Sequence, residues 1–117
     1  TESFAAEATL ADGSPAALKL LMPHDDAAAR NEITALRLAN GEGCARLLRA
    51  DTARGALLLE RLGRPLHTLA LPVRTRHQIL CSAAERVWRP APGWGLPTGA
   101  EKGRSLAGFI TTLASSV

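Results

Sequence analysis

A chain of 117 residues, 46 % of them hydrophobic, is long enough for one packed core and too apolar for a disordered segment. Only 3 % are aromatic and the net charge is +3, with arginines scattered from Arg46 to Arg76 rather than gathered in a basic tract, which argues against a nucleic-acid partner. No apolar run approaches the ~20 residues that span a bilayer, and no basic-then-apolar N-terminus signals secretion, so a cytoplasmic protein without a membrane partner is expected.

From Ser3 to Leu10 the residues alternate. Phe4, Ala6, Ala8 and Leu10 share one face and Ser3, Glu7 and Thr9 the other, the period of a half-buried strand. Ala11-Asp12-Gly13-Ser14-Pro15 reads as a turn, because glycine accepts a positive φ and proline fixes its own. Ala16 to Leu21 reads as a second strand, so an antiparallel hairpin is expected. Ala17, Lys19 and Leu21 lie on one of its faces, Leu18 and Leu20 on the other. An ammonium buried in a strand loses solvation and needs an anion close by.

Pro23 ends that strand, and Asp25 or Asp26 is placed to cap a following helix, where a carboxylate meets free N–H groups and the positive end of the dipole. The helix is expected to run to about Asn40 and stop at Gly41. Ala29, Ile33, Leu36 and Asn40 fall on one side of it. Glu32, a turn before Leu36, sits at the edge of that side and offers Lys19 a carboxylate.

Cys44 to Ala50 and Ala56 to Arg61 read as two more strands joined by the hairpin loop Asp51-Thr52-Ala53-Arg54-Gly55. The unbroken Ala56-Leu57-Leu58-Leu59 suggests a central strand covered on both faces. Leu62-Gly63-Arg64-Pro65-Leu66 breaks the regularity as a hinge. Val73 to Trp88 is helical, with Leu80, Ala84, Val87 and Trp88 on one face. Pro90 to Gly95 forms a stiff loop, and Trp88 and Trp94 on either side of it read as packing residues. Thr98-Gly99-Ala100-Glu101 has capping-box spacing, and Leu106, Phe109, Ile110 and Leu113 form the stripe of the helix behind it. Cys44 and Cys81 are expected as buried reduced thiols. His24, His67 and His77 are too dispersed for a metal site.

The order of strand, Asp-Gly turn, lysine strand, glutamate helix, hairpin, hinge and helices resembles the small lobe of a protein-kinase-like fold. Four segments, Ala17-Leu18-Lys19, Asn31-Glu32-Ile33-Thr34-Ala35-Leu36-Arg37, Ala45-Arg46-Leu47-Leu48-Arg49-Ala50-Asp51 and Gly55-Ala56-Leu57-Leu58-Leu59-Glu60-Arg61-Leu62, are similar to the aminoglycoside phosphotransferase superfamily. Within it the streptomycin 6-kinase and hydroxyurea-resistance kinase group fits best, and Leu96-Pro97-Thr98 before a helix is also similar to that group. The resemblance covers most of residues 3 to 113. It implies an α+β fold: an N-lobe over residues 1–62 lacking its first strand and phosphate loop, a hinge over 63–70, and the helical start of a C-lobe over 71–117.

The resemblance further implies an ATP-dependent phosphotransferase that modifies a hydroxyl of an aminoglycoside such as streptomycin, conferring antibiotic resistance, with Mg²⁺ arriving on the ATP. Lys19 would contact the α- and β-phosphates, where a point charge suffices, and Glu32 would hold it in place. Ala17 would lie against the adenine ring and Leu59 would line the back of the pocket. The backbone of Glu60 and Leu62 would hydrogen-bond the adenine edge. On position alone, Lys19 reads as an edge residue reaching solvent; Ala17, Glu32 and the later hinge favour the phosphate role.

The family's catalytic loop carries His-Gly-Asp followed by Asn, with a metal-binding Asp later, and residues 1–117 hold none of these. His24-Asp25 stands at the start of the helix, and His67 and His77 have no neighbouring Asp. No catalytic residue or metal ligand is therefore assigned, and the chain alone is expected not to catalyse and to be part of a longer kinase. A non-catalytic kinase-like scaffold or interaction domain is the alternative. The apolar faces at Leu80/Val87 and Leu106/Ile110 predict self-association of the isolated lobe.

Overall fold

The computed structural model describes residues 3–22 and 26–116. The helix cap expected at Asp25 or Asp26, with Pro23 and His24 before it, falls outside the described residues and side chains. Strand β1 (Ser3–Thr9) and strand β2 (Pro15–Leu21) form the expected antiparallel hairpin, with Ala5 opposite Lys19 and Glu7 opposite Ala17. At the turn Gly13 takes φ +84°, which lets its N–H reach the Leu10 carbonyl at 2.9 Å. Asp12 Oδ1 accepts from the Ser14 hydroxyl and amide, and these bonds hold its carboxyl below the ordinary aspartate range.

Helix α1 (Asp26–Ala39) ends at Asn40, whose φ of 49° is the left-handed conformation that asparagine tolerates; the stop comes just before the expected Gly41. Strands β3 (Leu47–Asp51) and β4 (Ala56–Glu60) follow, so Cys44, Ala45 and Arg46 precede the strand expected to contain them. The four strands lie in the order β1-β2-β4-β3, all antiparallel, with Lys19 opposite Leu57 and Ala17 opposite Leu59.

Alternation along β2 and β4 sends Ala17, Lys19, Leu21, Leu57 and Leu59 to one face, and α1 packs over part of it. Leu21, Ala29, Ile33 and Leu57 make the buried cluster, with Leu36, Leu47, Ala50 and Leu59 packed around them. The expectation that β4 is covered on both faces is not met. Leu18 and Leu58 on the opposite face stay half-buried, beside an open cavity of about 540 Å³. β4 is central in the sheet, but helical cover comes to one side only.

A 3-10 turn at Leu66–Thr68 leads to helix α2 (Val73–Val87) and helix α3 (Gly99–Ser115). The capping box at α3 forms as expected: Thr98 Oγ1 accepts from the Glu101 amide, and the Glu101 carboxylate accepts from the Thr98 amide. Neither α2 nor α3 contains a buried residue. The radius of gyration, 16.8 Å, exceeds the roughly 13 Å of a compact chain this long, because this helical half does not fold back on the sheet. Two sequence expectations fail. Trp88 and Trp94 are exposed rather than packed, and Cys81 is an exposed free thiol while Cys44 is only half-buried. No helix among the described residues is long and apolar enough to cross a membrane.

Candidate functional site

The chemistry-bearing pair of this fold is held by its core. Ile33 is 2 % exposed and points from α1 into the sheet, so the preceding Glu32 falls at the rim of the helix–sheet contact. Lys19 stands opposite fully buried Leu57 on β2, with its stem along the same rim. Its Nζ donates to Glu32 Oε1 at 2.5 Å, and each side chain remains 27 % exposed. An ion pair this accessible contributes little to stability, about 0–1 kcal/mol. What it does is fix where the ammonium sits. Lys19 has three N–H donors, so one bond to Glu32 leaves donors for an anion arriving from the open side.

Ala17 lies on the same face of β2, opposite Leu59, and its methyl group leaves the sheet surface flat beside the ammonium. Leu59 is half-buried against the core cluster. The structure therefore brings Lys19, Glu32, Ala17 and Leu59 to one face. At Glu60 the two backbone groups differ. Its backbone N–H already donates to the Arg46 carbonyl at 2.9 Å, and its carboxylate accepts the Arg46 amide at 3.1 Å. The carbonyl, not the N–H, is the backbone group of Glu60 that a ligand edge could use. Leu62 lies past β4 in irregular chain and is 59 % exposed.

Sequence reasoning passed over two features beside this face. Glu7 of β1 pairs with Arg61, placing opposite charges next to Ala17. Their proximity depends on β2 lying between β1 and β4, which no spacing in the sequence reveals. Arg89 is the other. It reaches from just past α2 to the end of α1, donating to the Leu38 carbonyl and to Glu42 Oε2. A cation beyond a helix end is a recognised signal, but nothing in the sequence aimed this one at α1.

Among the described residues no three His, Cys, Asp or Glu side chains converge. The arrangement presents an ammonium with spare donors to an anion, beside the small apolar side chain of Ala17.

Residues 2–100 match the family described as aminoglycoside/hydroxyurea antibiotic resistance kinase. A hydroxyurea phosphotransferase from Kitasatospora aureofaciens is 50 % identical over 64 residues, which is 55 % of this chain and 18 % of that protein. The chain thus spans only a small part of the length of the curated relative it matches. No solved structure matches it significantly.

Proposed function

The chain belongs to the aminoglycoside/hydroxyurea antibiotic resistance kinase family, and from that premise we propose that it forms the nucleotide-binding part of an ATP-dependent phosphotransferase. The observation that carries this reading is the Lys19–Glu32 pair, a positioned ammonium with donors to spare, beside the flat surface of Ala17 and Leu59. In this reading the sheet and α1 are a kinase-like N-lobe, residues 63–70 are the hinge, and α2 and α3 begin the C-lobe. Lys19 takes the α- and β-phosphates of ATP, Glu32 keeps its ammonium in register, and adenine lies against Ala17 with Leu59 behind it. The Glu60 carbonyl and the Leu62 backbone meet the adenine edge.

ATP carries Mg²⁺ with it and supplies the phosphoryl group. The contribution of this chain is to bind and orient the nucleotide. The acceptor is a small hydroxyl-bearing molecule: an aminoglycoside such as streptomycin, or hydroxyurea, the compound for which the Kitasatospora relative is named. The base that would accept the hydroxyl proton is not among residues 1–117, so this stretch alone transfers nothing. A cytoplasmic location, where ATP is present, belongs to the same reading.

Calorimetric titration of the chain with Mg·ATP, wild type against Lys19→Ala, tests the proposal. A loss of affinity on the order of tenfold or more, as for a charge-assisted phosphate contact, supports it. Equal binding by both proteins, or none by either, overturns it.

A further inference from the structure

The guanidinium of Arg89 closes two helices at once. The last carbonyls of a helix have no partner within it and carry the negative end of its dipole. Arg89 Nη1 donates to the Leu38 carbonyl in the last turn of α1 at 3.3 Å, and Nη2 donates to the Arg86 carbonyl in the last turn of α2 at 2.7 Å. Nη2 also reaches Glu42 Oε2 at 2.9 Å. The planar fork of arginine suits this convergence, and a lysine's point charge would not reproduce it. Alongside, Gly43 at φ +77° lets α2 come against the loop that leaves α1. A Cβ there would lie 2.4 Å from the Ala83 carbonyl oxygen and 2.9 Å from Val87 Cγ2. The loop leaving α1 therefore lies directly against α2, and Arg89 ties the last turn of α1 to the same place.

Helix α1 also carries Glu32, about 9 Å along the axis from Leu38 at 1.5 Å per residue. The helical hydrogen bonds between the two positions transmit a shift of the helix end to the Glu32 backbone, so holding that end, together with Ile33 in the core, limits where the carboxylate sits. We infer that Arg89 is a positioning residue for the Lys19–Glu32 pair: its clamp on Leu38, Glu42 and Arg86 sets the place of α1, and through it the ammonium that meets phosphate. The phosphate half of this statement rests on the nucleotide reading above; the positioning half does not. It gives the segment after the hinge a hold on the site before it.

The chain has two lysines, Lys19 and Lys102, and the exposed Lys102 is an internal reference. An ammonium held against Glu32 is shielded and reacts slowly with an acylating reagent. The Lys19-to-Lys102 acylation ratio, read by mass spectrometry, is expected to rise several-fold in Arg89→Ala and less in Arg89→Lys. In Glu32→Gln the ratio is already raised, and adding Arg89→Ala should change it no further. Circular dichroism checks that each variant folds. An unchanged ratio in both Arg89 variants overturns the inference, as does an equal rise with and without Glu32. Titration of the same proteins with Mg·ATP separates the two claims. If Arg89→Ala raises the ratio but Lys19→Ala leaves ATP binding intact, the positioning role stands and the nucleotide reading falls. If Lys19→Ala weakens binding and the ratio does not move in the Arg89 variants, the reverse holds.

Discussion

Ile33 and Leu57 pack together in the core, and their neighbours form the ion pair: Glu32 precedes Ile33 on α1, and Lys19 stands opposite Leu57 across the sheet. The burial that holds α1 on the sheet thus also helps to position the charged pair. Ile33→Ala should cost about 2–4 kcal/mol, from lost apolar transfer and the cavity left behind. Urea unfolding followed by circular dichroism measures it, and a cost below about 1 kcal/mol would mean that α1 is not anchored there.

Lys19→Ala should behave in the opposite way. With both partners 27 % exposed, breaking the pair should change unfolding free energy by less than about 1 kcal/mol. The variant stays folded while its affinity for Mg·ATP falls. A large destabilisation in the same urea experiment would make the lysine structural and remove the basis of the site.

The start of α3 should respond to acid. The Thr98 amide and hydroxyl both donate to the Glu101 carboxylate and hold its pKa below the ordinary glutamate value. A group depressed in the folded state stabilises above its unfolded pKa of about 4.3 and loses that contribution as pH falls through the folded value. Helicity at residues 99–103, followed by NMR chemical shifts, should hold near neutrality and decline below pH ~4. Glu101→Gln should abolish this dependence. A decline that persists in the variant would assign it to another group.

Exposed apolar faces on α2 and α3 should drive self-association. Leu80, Leu106, Phe109 and Ile110 are each more than half exposed, along helices with no buried residue. Light scattering of the isolated chain should show species larger than 12.3 kDa, and Phe109→Glu together with Ile110→Lys should reduce them. A clean monomer at high concentration would show that these faces are tolerated in water.

Much of the sheet half could be read directly along the chain. The alternation of Ser3–Leu10, the Asp12-Gly13 turn and the Asp51–Gly55 loop predicted the hairpins, because strand period and turn chemistry are local properties. The lysine and glutamate of the site were visible for a related reason. Each is charged and lies on or beside an apolar face, a conflict that a partner resolves.

The errors cluster where cover comes from elsewhere. Ala56-Leu57-Leu58-Leu59 reads as fully covered because its residues are apolar, yet whether a helix lies over Leu58 depends on the rest of the assembly. Residue type, and for Trp88 the helical period as well, predicts Trp88, Trp94 and Cys81 inside, and all three are exposed.

The sequence by itself determined the α+β class, the strand and helix order, the capping box at Thr98 and the candidates Lys19 and Glu32. Periodicity, turn residues and caps act over a few positions, so the local sequence specifies them. Tertiary structure alone decided that Glu7 meets Arg61, that the Glu60 amide is taken by Arg46, and that Arg89 joins the ends of α1 and α2. Glu7–Arg61 and Arg89–Leu38 join residues more than 50 positions apart, and Glu60–Arg46 depends on the register of the β3–β4 hairpin, so only the strand order, that register and the approach of α2 to the end of α1 bring them together.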